Sequence, residues 1–175
     1  LCTAFKVPHD AVQPMGLHIE KDNYSMVMAT DLGCVTPEVL KHTQNADLLC
    51  IESNYDIDML KSCSYPTWLK QRIKSSSGHL PNEGVRGILS RMNKVPQNIV
   101  LMHLSQESNT KEKALESLES FLEFDGNNFR SMQVTVASQD SPTERLTIGS
   151  ELSSKLKSRL INDEERQFIK IEASR

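Results

Sequence analysis

Two short apolar segments constrain the fold most, because each reads as a buried strand with helical patterns on either side. The segments are Asp47–Glu52 (DLLCIE) and Asn98–His103 (NIVLMH). Apolar runs of four to eight residues that are bounded by turn signals are typical of buried strands. Because amphipathic helical patterns separate them, we predict an α/β protein built from layers of strands and helices.

The rest of the chain continues this alternation. Predicted strands are Thr3–Val7, a hairpin of Leu17–Glu20 and Tyr24–Ala29, and the segment MQVTVAS, with which ERLTI can pair. One helix is predicted to start at Thr36–Pro37, a second to run from Asp56 to Ser62 and a third to cover PTWLKQRIKS. Two more are predicted from about Glu83 to Asn93 and from Thr110 to Phe124. We assign 1–149 to one domain and 150–175 to a C-terminal helical tail.

Charge and cysteine usage exclude several classes of protein. The net charge of −3 argues against a general polyanion binder. Between Tyr65 and Val95, however, six basic residues face the single acid Glu83, which is either a solvated helical face or a rim that attracts phosphate. No apolar run approaches the roughly 20 residues that span a bilayer. Four cysteines without a Cys-x-x-Cys spacing favour free thiols in a reducing cytoplasm.

Residues with metal-binding side chains lie at or just beyond the ends of predicted strands. They are His9, Asp31, Glu52 and His103, and His79 follows in a glycine-containing loop. In layered α/β proteins the carboxyl ends of strands carry the ligand-binding groups. Singly, each residue has an ordinary explanation, such as a turn-forming Asp or a helix-capping Glu. Together, two histidines and a carboxylate are a suitable ligand set for zinc or manganese.

Five segments in this order resemble the metallo-β-lactamase-fold hydrolases. They are HDAVQPMGLHI, TDLG, ADLLCIESNYD, GHLPN and LMHLS, and they fall between about Phe5 and Asn109. The YycJ/WalJ-type nucleases are the subfamily they resemble most, and tRNase Z is a more distant relative. The resemblance implies the C-terminal part of a four-layer αββα fold. It also implies that His9 and His103 each bind one of two metal ions and that Asp31 bridges them.

The same resemblance implies a metal-dependent phosphodiester hydrolase that acts on nucleic acid, with a DNA exonuclease as the expected activity. Two divalent ions, zinc or manganese, would supply an activated hydroxide. Glu52 and His79 match the catalytic pair of the tRNase Z pattern. A carboxylate beside an imidazole favours the protonated ring and orients it, so His79 would be a general acid for the leaving oxygen.

Two features depart from the family pattern. Pro81 replaces the usual Ser of the GHLPN segment, and the His-x-His-x-Asp-His motif is absent. Three protein ligands are too few to hold two ions, because a zinc site takes three or four. We therefore expect that coding sequence is missing upstream of Leu1, or that a homodimer completes a half-site. The chain alone is expected to be inactive and to aggregate or dimerise through exposed apolar strands.

Two other functions remain open at this point. The chain could be a hydrolase of the same fold acting on a thioester or lactone, or a truncated fragment without catalysis. Asn82 is expected to cap a helix, and Trp68 and Tyr65 to pack in the core or between helices instead of stacking on bases. Asp10 is placed either beside the site or in solvent, and the remaining two histidines receive no role.

Overall fold

The computed structural model of the chain describes residues 1–124 and 132–149, which form a six-stranded mixed sheet flanked by helices. The strands are β1 (Cys2–Lys6), β2 (Met15–Lys21), β3 (Tyr24–Ala29), β4 (Leu48–Glu52), β5 (Asn98–Met102) and β6 (Gln133–Val136). The helices are α1 (Pro37–Thr43), α2 (Ile57–Ser62), α3 (Thr67–Ile73), α4 (Asn82–Leu89) and α5 (Lys111–Phe124).

The strands lie in the sheet in the order in which they occur along the chain. β1, β2 and β3 are antiparallel, whereas β3, β4, β5 and β6 are parallel to one another. The predicted hairpin is confirmed: Asp22 and Asn23 connect β2 to β3 with φ of 50° and 67°. Two positive φ values suit the tight turn whose twist matches that of paired strands.

Successive side chains along each strand lie on opposite faces of the sheet and pack in two different layers. One face packs through residues such as Val27, Ile51 and Leu101 against α1, α4 and α5 and forms the main core. On the opposite face Leu48, Cys50 and Val100 contact Leu146 and Ile148. Residues 144–148 form no strand, so the predicted pairing of ERLTI is wrong; that segment lies across the sheet and covers apolar side chains.

Helix boundaries follow the capping signals in two cases and depart from them in a third. The side chains of Thr36 and Asp56 accept hydrogen bonds from backbone N–H groups of α1 and α2, as predicted. Asn82 does not cap α4. It is the first helical residue, and its buried amide bonds to Ser53 and Asn109, because this polar core outcompetes the cap.

Two further expectations concern exposure and the chain end. Trp68 is 65% exposed on α3, so its predicted packing in the core or between helices is wrong. Tyr65 is partly buried against the small cluster of α2 and α3, as predicted. The predicted helical tail over 150–175 lies outside the described residues. Within the described ranges, no helix combines the length and apolar character needed to cross a bilayer.

Candidate metal centre

Parallel strands bring three of the predicted site residues to one edge of the sheet. Asp31 follows β3, Glu52 is the last residue of β4, and His103 follows β5. Asp31 and His103 have φ of 54° and 59°. Apart from the β2–β3 hairpin turn, they are the non-glycine residues with positive φ in the described part of the chain. Such backbone strain clusters at functional sites.

One oxygen of Asp31 lies at the centre of the site. Asp31 Oδ1 is 3.4 Å from His9 Nε2, 3.8 Å from His79 Nδ1 and 4.0 Å from His103 Nδ1. Asp31, Glu52, His79 and His103 each offer a ligand atom, and these atoms lie within 4.8 Å of one another. The structure therefore brings together all five residues that the sequence indicated, with His9 joined to the others through Asp31.

Glu52 orients two of the imidazoles. Its side chain is fully buried, and Oε1 accepts hydrogen bonds from His79 Nδ1 at 2.9 Å and His103 Nδ1 at 2.6 Å. Its Oε2 accepts from the backbone N–H of Leu32 at 2.7 Å and of Leu80 at 3.1 Å. A carboxylate has about four acceptor positions, and all four are used. Although Glu52 belongs to the four-residue cluster, it is therefore better suited to orienting the rings than to binding an ion.

These hydrogen bonds also set the charge of the group. Burial acts to raise the pKa of the Glu52 carboxyl, but the bonds from His103, His79 and the Leu32 N–H outweigh it and lower the pKa. The hydrogen bond to Glu52 raises the pKa of His103, with burial opposing it. The Glu52 carboxylate therefore accepts hydrogen bonds from two imidazoles, and its negative charge strengthens both of them.

The three imidazoles share one arrangement that fits a bound cation. His79 and His103 place Nδ1 on Glu52, and His9 places Nδ1 2.9 Å from the carbonyl oxygen of Gly78. An Nδ1–H that donates to an oxygen leaves Nε2 of the ring available either to bind a metal ion or to carry a proton. His9 Nε2 then faces an Asp31 oxygen at 3.4 Å, a separation suited to two ligands of one ion about 2.0–2.2 Å away.

The loop that carries His9 is held by residues of α3 and of the turn after it. Asp10 donates its N–H to Ser77 O at 3.1 Å, and its carboxylate accepts two hydrogen bonds from Arg72 at 2.6 and 2.8 Å. The Arg72 hydrogen bond lowers the pKa of Asp10. Asp10 therefore lies beside the site. Its partner Arg72 lies 62 positions away in the chain, so no local pattern indicated this pair.

A second support, Asn54, lies beside His103. Asn54 Nδ2 donates to the carbonyl oxygen of His103 at 2.7 Å and thereby stabilises its left-handed backbone. A buried network next to Asn54 is formed by Ser53, Asn82 and Asn109, and the two asparagine side chains of this network exchange hydrogen bonds. The sequence indicated that Asn54 orders this loop, whereas the network of Ser53, Asn82 and Asn109 depends on the pairing of distant chain segments.

Gly78 is essential to the geometry because two chain segments meet at its α-carbon. A Cβ there would lie 2.2 Å from Arg72 O and 2.3 Å from Ile73 O. We expect Gly78→Ala to lower the free energy of unfolding by about 2 kcal/mol or more and to weaken metal binding, because the Gly78 carbonyl orients His9. Thermal melts and metal analysis of the purified variant measure both effects.

Gly87→Ala is the matched control. A Cβ at Gly87 would meet only Arg91 Nη1, at 3.7 Å, and alanine is the better residue within α4. This variant should be unchanged or about 0.5–1 kcal/mol more stable, with normal metal content. Equal behaviour of the two variants would contradict the role given to Gly78.

The other two histidines form a pair outside this centre. His18 Nδ1 lies 3.1 Å from His42 Nδ1, and His42 also contacts Glu38 within α1. Phe5 stacks on the ring of His42 with centroids 4.2 Å apart. Burial lowers the pKa of His18. The pair therefore packs between β2 and α1, which no pattern in the sequence indicated.

Comparison with known proteins supports the family resemblance. No protein-family model matches the chain. Exodeoxyribonuclease WalJ of Streptococcus pneumoniae serotype 2 (strain D39 / NCTC 7466) is 43% identical over 112 residues, which are 63% of this chain and 42% of that protein. Exodeoxyribonuclease YycJ of Bacillus anthracis is 34% identical over 124 residues, 70% of this chain and 47% of that protein. The chain thus spans less than half the length of the curated relatives it matches.

A solved structure shows the fold. The crystal structure of the short form of human tRNase Z superposes with a TM-score of 0.51 at 16% identity, over 85% of this chain and 43% of that one. The predicted fold class is confirmed, since this neighbour has the metallo-β-lactamase fold. The predicted similarity to YycJ/WalJ-type nucleases is confirmed as well.

Proposed function

For a chain of the metallo-β-lactamase fold that is similar to the YycJ/WalJ-type nucleases, we propose a metal-dependent phosphodiester hydrolase that acts on DNA as an exonuclease. The observation that carries this proposal is the 3.4 Å separation of His9 Nε2 and Asp31 Oδ1, with the imidazole rings of His79 and His103 within 4.0 Å of the same oxygen. Nitrogen and carboxylate donors at this spacing suit zinc or manganese. The names of the two bacterial relatives favour DNA as the substrate.

His9, Asp31 and His103 are the residues that would hold two divalent ions, with Asp31 between them. Such ions, when bound, make a nucleophile from water at neutral pH and neutralise charge on phosphate oxygens. Glu52 would keep the ring of His103 in the tautomer that offers Nε2. Three protein ligands do not fill two metal sites. The proposal therefore includes further ligands, either from outside residues 1–175 or from a second copy of this chain.

His79 is proposed to protonate the leaving oxygen. Its Nδ1 is held by Glu52 at 2.9 Å, so the ring is oriented for proton transfer. The ring also borders an open groove in which a phosphodiester can lie. A proton on His79 Nε2 would pass to the departing alkoxide. The positive charge of the imidazolium would stabilise the negative charge that develops on that oxygen.

The proposed role of His79 predicts a dependence on the leaving group. We expect His79→Ala in the full-length protein to slow cleavage of single-stranded DNA about 10²–10⁴-fold, since an alkoxide requires protonation. Cleavage of bis-p-nitrophenyl phosphate should fall much less, because nitrophenolate leaves without a proton. Metal content is measured on the same samples. An equal loss on both substrates, or loss of the metal, would contradict the general-acid role.

The activity itself is tested with the full-length protein loaded with zinc or manganese. We expect hydrolysis of bis-p-nitrophenyl phosphate and stepwise shortening of an end-labelled DNA, and no comparable hydrolysis of a thioester or a lactone. EDTA should abolish the activity. Thioester cleavage without phosphodiester cleavage would overturn the proposal in favour of another hydrolase of this fold.

The cysteines support a proposal about the cellular location. All four are free thiols, and Cys50 is buried, which raises its pKa to about 11. We include a reducing cytoplasm in the proposal because unpaired cysteines are typical of it.

A further inference from the structure

His79 lies in a segment that no strand carries to the sheet edge. Asp31, Glu52 and His103 belong to or directly follow β3, β4 and β5, whereas His79 lies between α3 and α4. Its Nδ1 is nevertheless 2.9 Å from Glu52 Oε1, at the centre of the site. Hydrogen bonds outside the named strands must therefore set the place of this ring.

Two main-chain hydrogen bonds tie residues 79–82 to the segment that follows β4. The Asn54 N–H donates to Leu80 O at 2.8 Å, and the Asn82 N–H donates to Tyr55 O at 3.0 Å. Neither of these two bonds reaches the segment that follows β5, where the second imidazole on Glu52 originates. A pair of side chains makes that connection.

The amide groups of Asn82 and Asn109 form a closed pair. Asn82 Nδ2 donates to Asn109 Oδ1 at 3.0 Å, and Asn109 Nδ2 donates to Asn82 Oδ1 at 2.9 Å. Asn109 Nδ2 also donates to Ser53 O at 2.8 Å, and Ser53 Oγ donates to Asn82 Oδ1 at 2.7 Å. Each of the three residues is at most 4% exposed, so water does not readily replace a lost hydrogen bond.

The closed pair allows one placement of residues 79–82. Hydrogen bonds weaken steeply with distance and angle, so a shift of either segment weakens both bonds of the pair at once. Asn82 is three residues from His79, and Pro81 between them has a restricted φ. A displacement of the Asn82 side chain is therefore transmitted to the imidazole.

We propose that Asn82 and Asn109 are positioning residues that fix the imidazole of His79 for proton transfer and take no part in binding metal ions. This inference rests on the proposed function, in which His79 protonates the leaving oxygen. Asn54 holds the backbone of His103 through its own hydrogen bond, independently of the amide pair. Loss of the pair therefore displaces His79 and leaves the proposed metal ligands in place.

Asn109→Ser in the full-length protein tests the proposal, because serine is too short to bond to Asn82 and Ser53 together. We expect kcat for DNA to fall about 10–100-fold with unchanged metal content, since small displacements of a catalytic group slow a reaction strongly. The kcat for bis-p-nitrophenyl phosphate should fall less than about 3-fold, because nitrophenolate leaves without a proton. Asn98→Ser is the matched control: Asn98 is 1% exposed at the start of β5, and the folded variant should keep wild-type rates on both substrates.

Combining Asn109→Ser with His79→Ala separates positioning from a general structural role. If Asn109 acts through His79, Asn109→Ser has no further effect on DNA cleavage once the imidazole is absent. A further loss of about tenfold or more in the His79→Ala background, equal losses on both substrates, or loss of bound metal would overturn the proposal. If Asn109→Ser does not fold, Ser53→Ala removes only the hydroxyl bond to Asn82 and should lower kcat for DNA about 3- to 10-fold. An unchanged kcat in Ser53→Ala would then refute the positioning role.

A spectroscopic signal decides the proposal even if no nuclease activity is found. The Nδ1–H proton that His79 donates to Glu52 gives a downfield NMR resonance, which is assigned by its loss in His79→Ala. We expect Asn109→Ser to shift this resonance in the zinc-loaded full-length protein and to leave that of His103 unchanged. An unchanged His79 resonance would refute the positioning role. A shifted resonance in a protein without phosphodiesterase activity would support that role and refute the proposed function.

Discussion

Replacing Asp31 by asparagine is expected to remove metal binding and phosphodiesterase activity while leaving the fold intact. Asp31 supplies the oxygen that faces three imidazoles, and the amide keeps the shape of the side chain but loses its charge. Metal affinity should fall by more than the roughly 10–100-fold that accompanies loss of a residue supporting a ligand. Asparagine tolerates the φ of 54°, so the metal-free protein should unfold at nearly the same temperature.

Asp22→Asn is the matched control for that experiment. Asp22 also has a positive φ, 50°, but lies in the β2–β3 turn. Both variants remove one negative charge from a left-handed aspartate, so any shared effect reflects the backbone and not the site. Metal analysis by mass spectrometry and rates of DNA hydrolysis compare the two. Retention of both ions in Asp31→Asn would refute the bridging position.

Replacing Glu52 by glutamine is expected to reduce both stability and activity. The amide nitrogen would face either the two backbone N–H groups on Oε2 or the two imidazole Nδ1–H groups on Oε1, so one pair of donors meets another donor. Loss of a buried, hydrogen-bonded charge typically costs about 3 kcal/mol. Activity should fall at least about 100-fold, because His79 loses its orientation and His103 its tautomer.

Asp47→Asn tests whether any buried carboxylate at this sheet behaves in the same way. Asp47 is 2% exposed, precedes β4, accepts the N–H of Ser25 at 2.9 Å and forms an ion pair with Lys94. We expect Asp47→Asn to lower the free energy of unfolding without loss of bound metal or of activity per folded molecule. Urea denaturation and single-turnover rates for the two variants separate the contributions. Normal turnover by folded Glu52→Gln would show that Glu52 only stabilises the fold.

The sequence predicted most of the layered fold because each signal it used is local. Apolar runs, the Thr36 and Asp56 caps and the Asp22–Asn23 turn depend on neighbouring residues, and all of them are found in the structure. The errors occurred where a distant segment competes with a local preference. Asn82 would have capped α4 in isolation, but Ser53 and Asn109 hold its amide in the core.

The five site residues were predicted in part from their place at strand ends, and their roles remain proposals. The carboxyl ends of β3, β4 and β5 meet at one edge, so residues that follow these strands lie together whatever the detail of the packing. His79 follows no strand, and only the family resemblance of its segment indicated it. The exposed ring of Trp68 was mispredicted, because an apolar residue in a helix pattern carries no sign of which face is covered.

The sequence by itself determined which donor atoms reach the sheet edge, because strand ends and side-chain types are properties of short segments. Only the tertiary structure decided how those atoms are held. The Gly78 carbonyl on His9, the Leu32 and Leu80 N–H groups on Glu52 and the Asn54 amide on the His103 backbone bring together segments far apart in the chain. Backbone donors and acceptors are common to nearly all residues, so no pattern of side chains reveals which of them will meet.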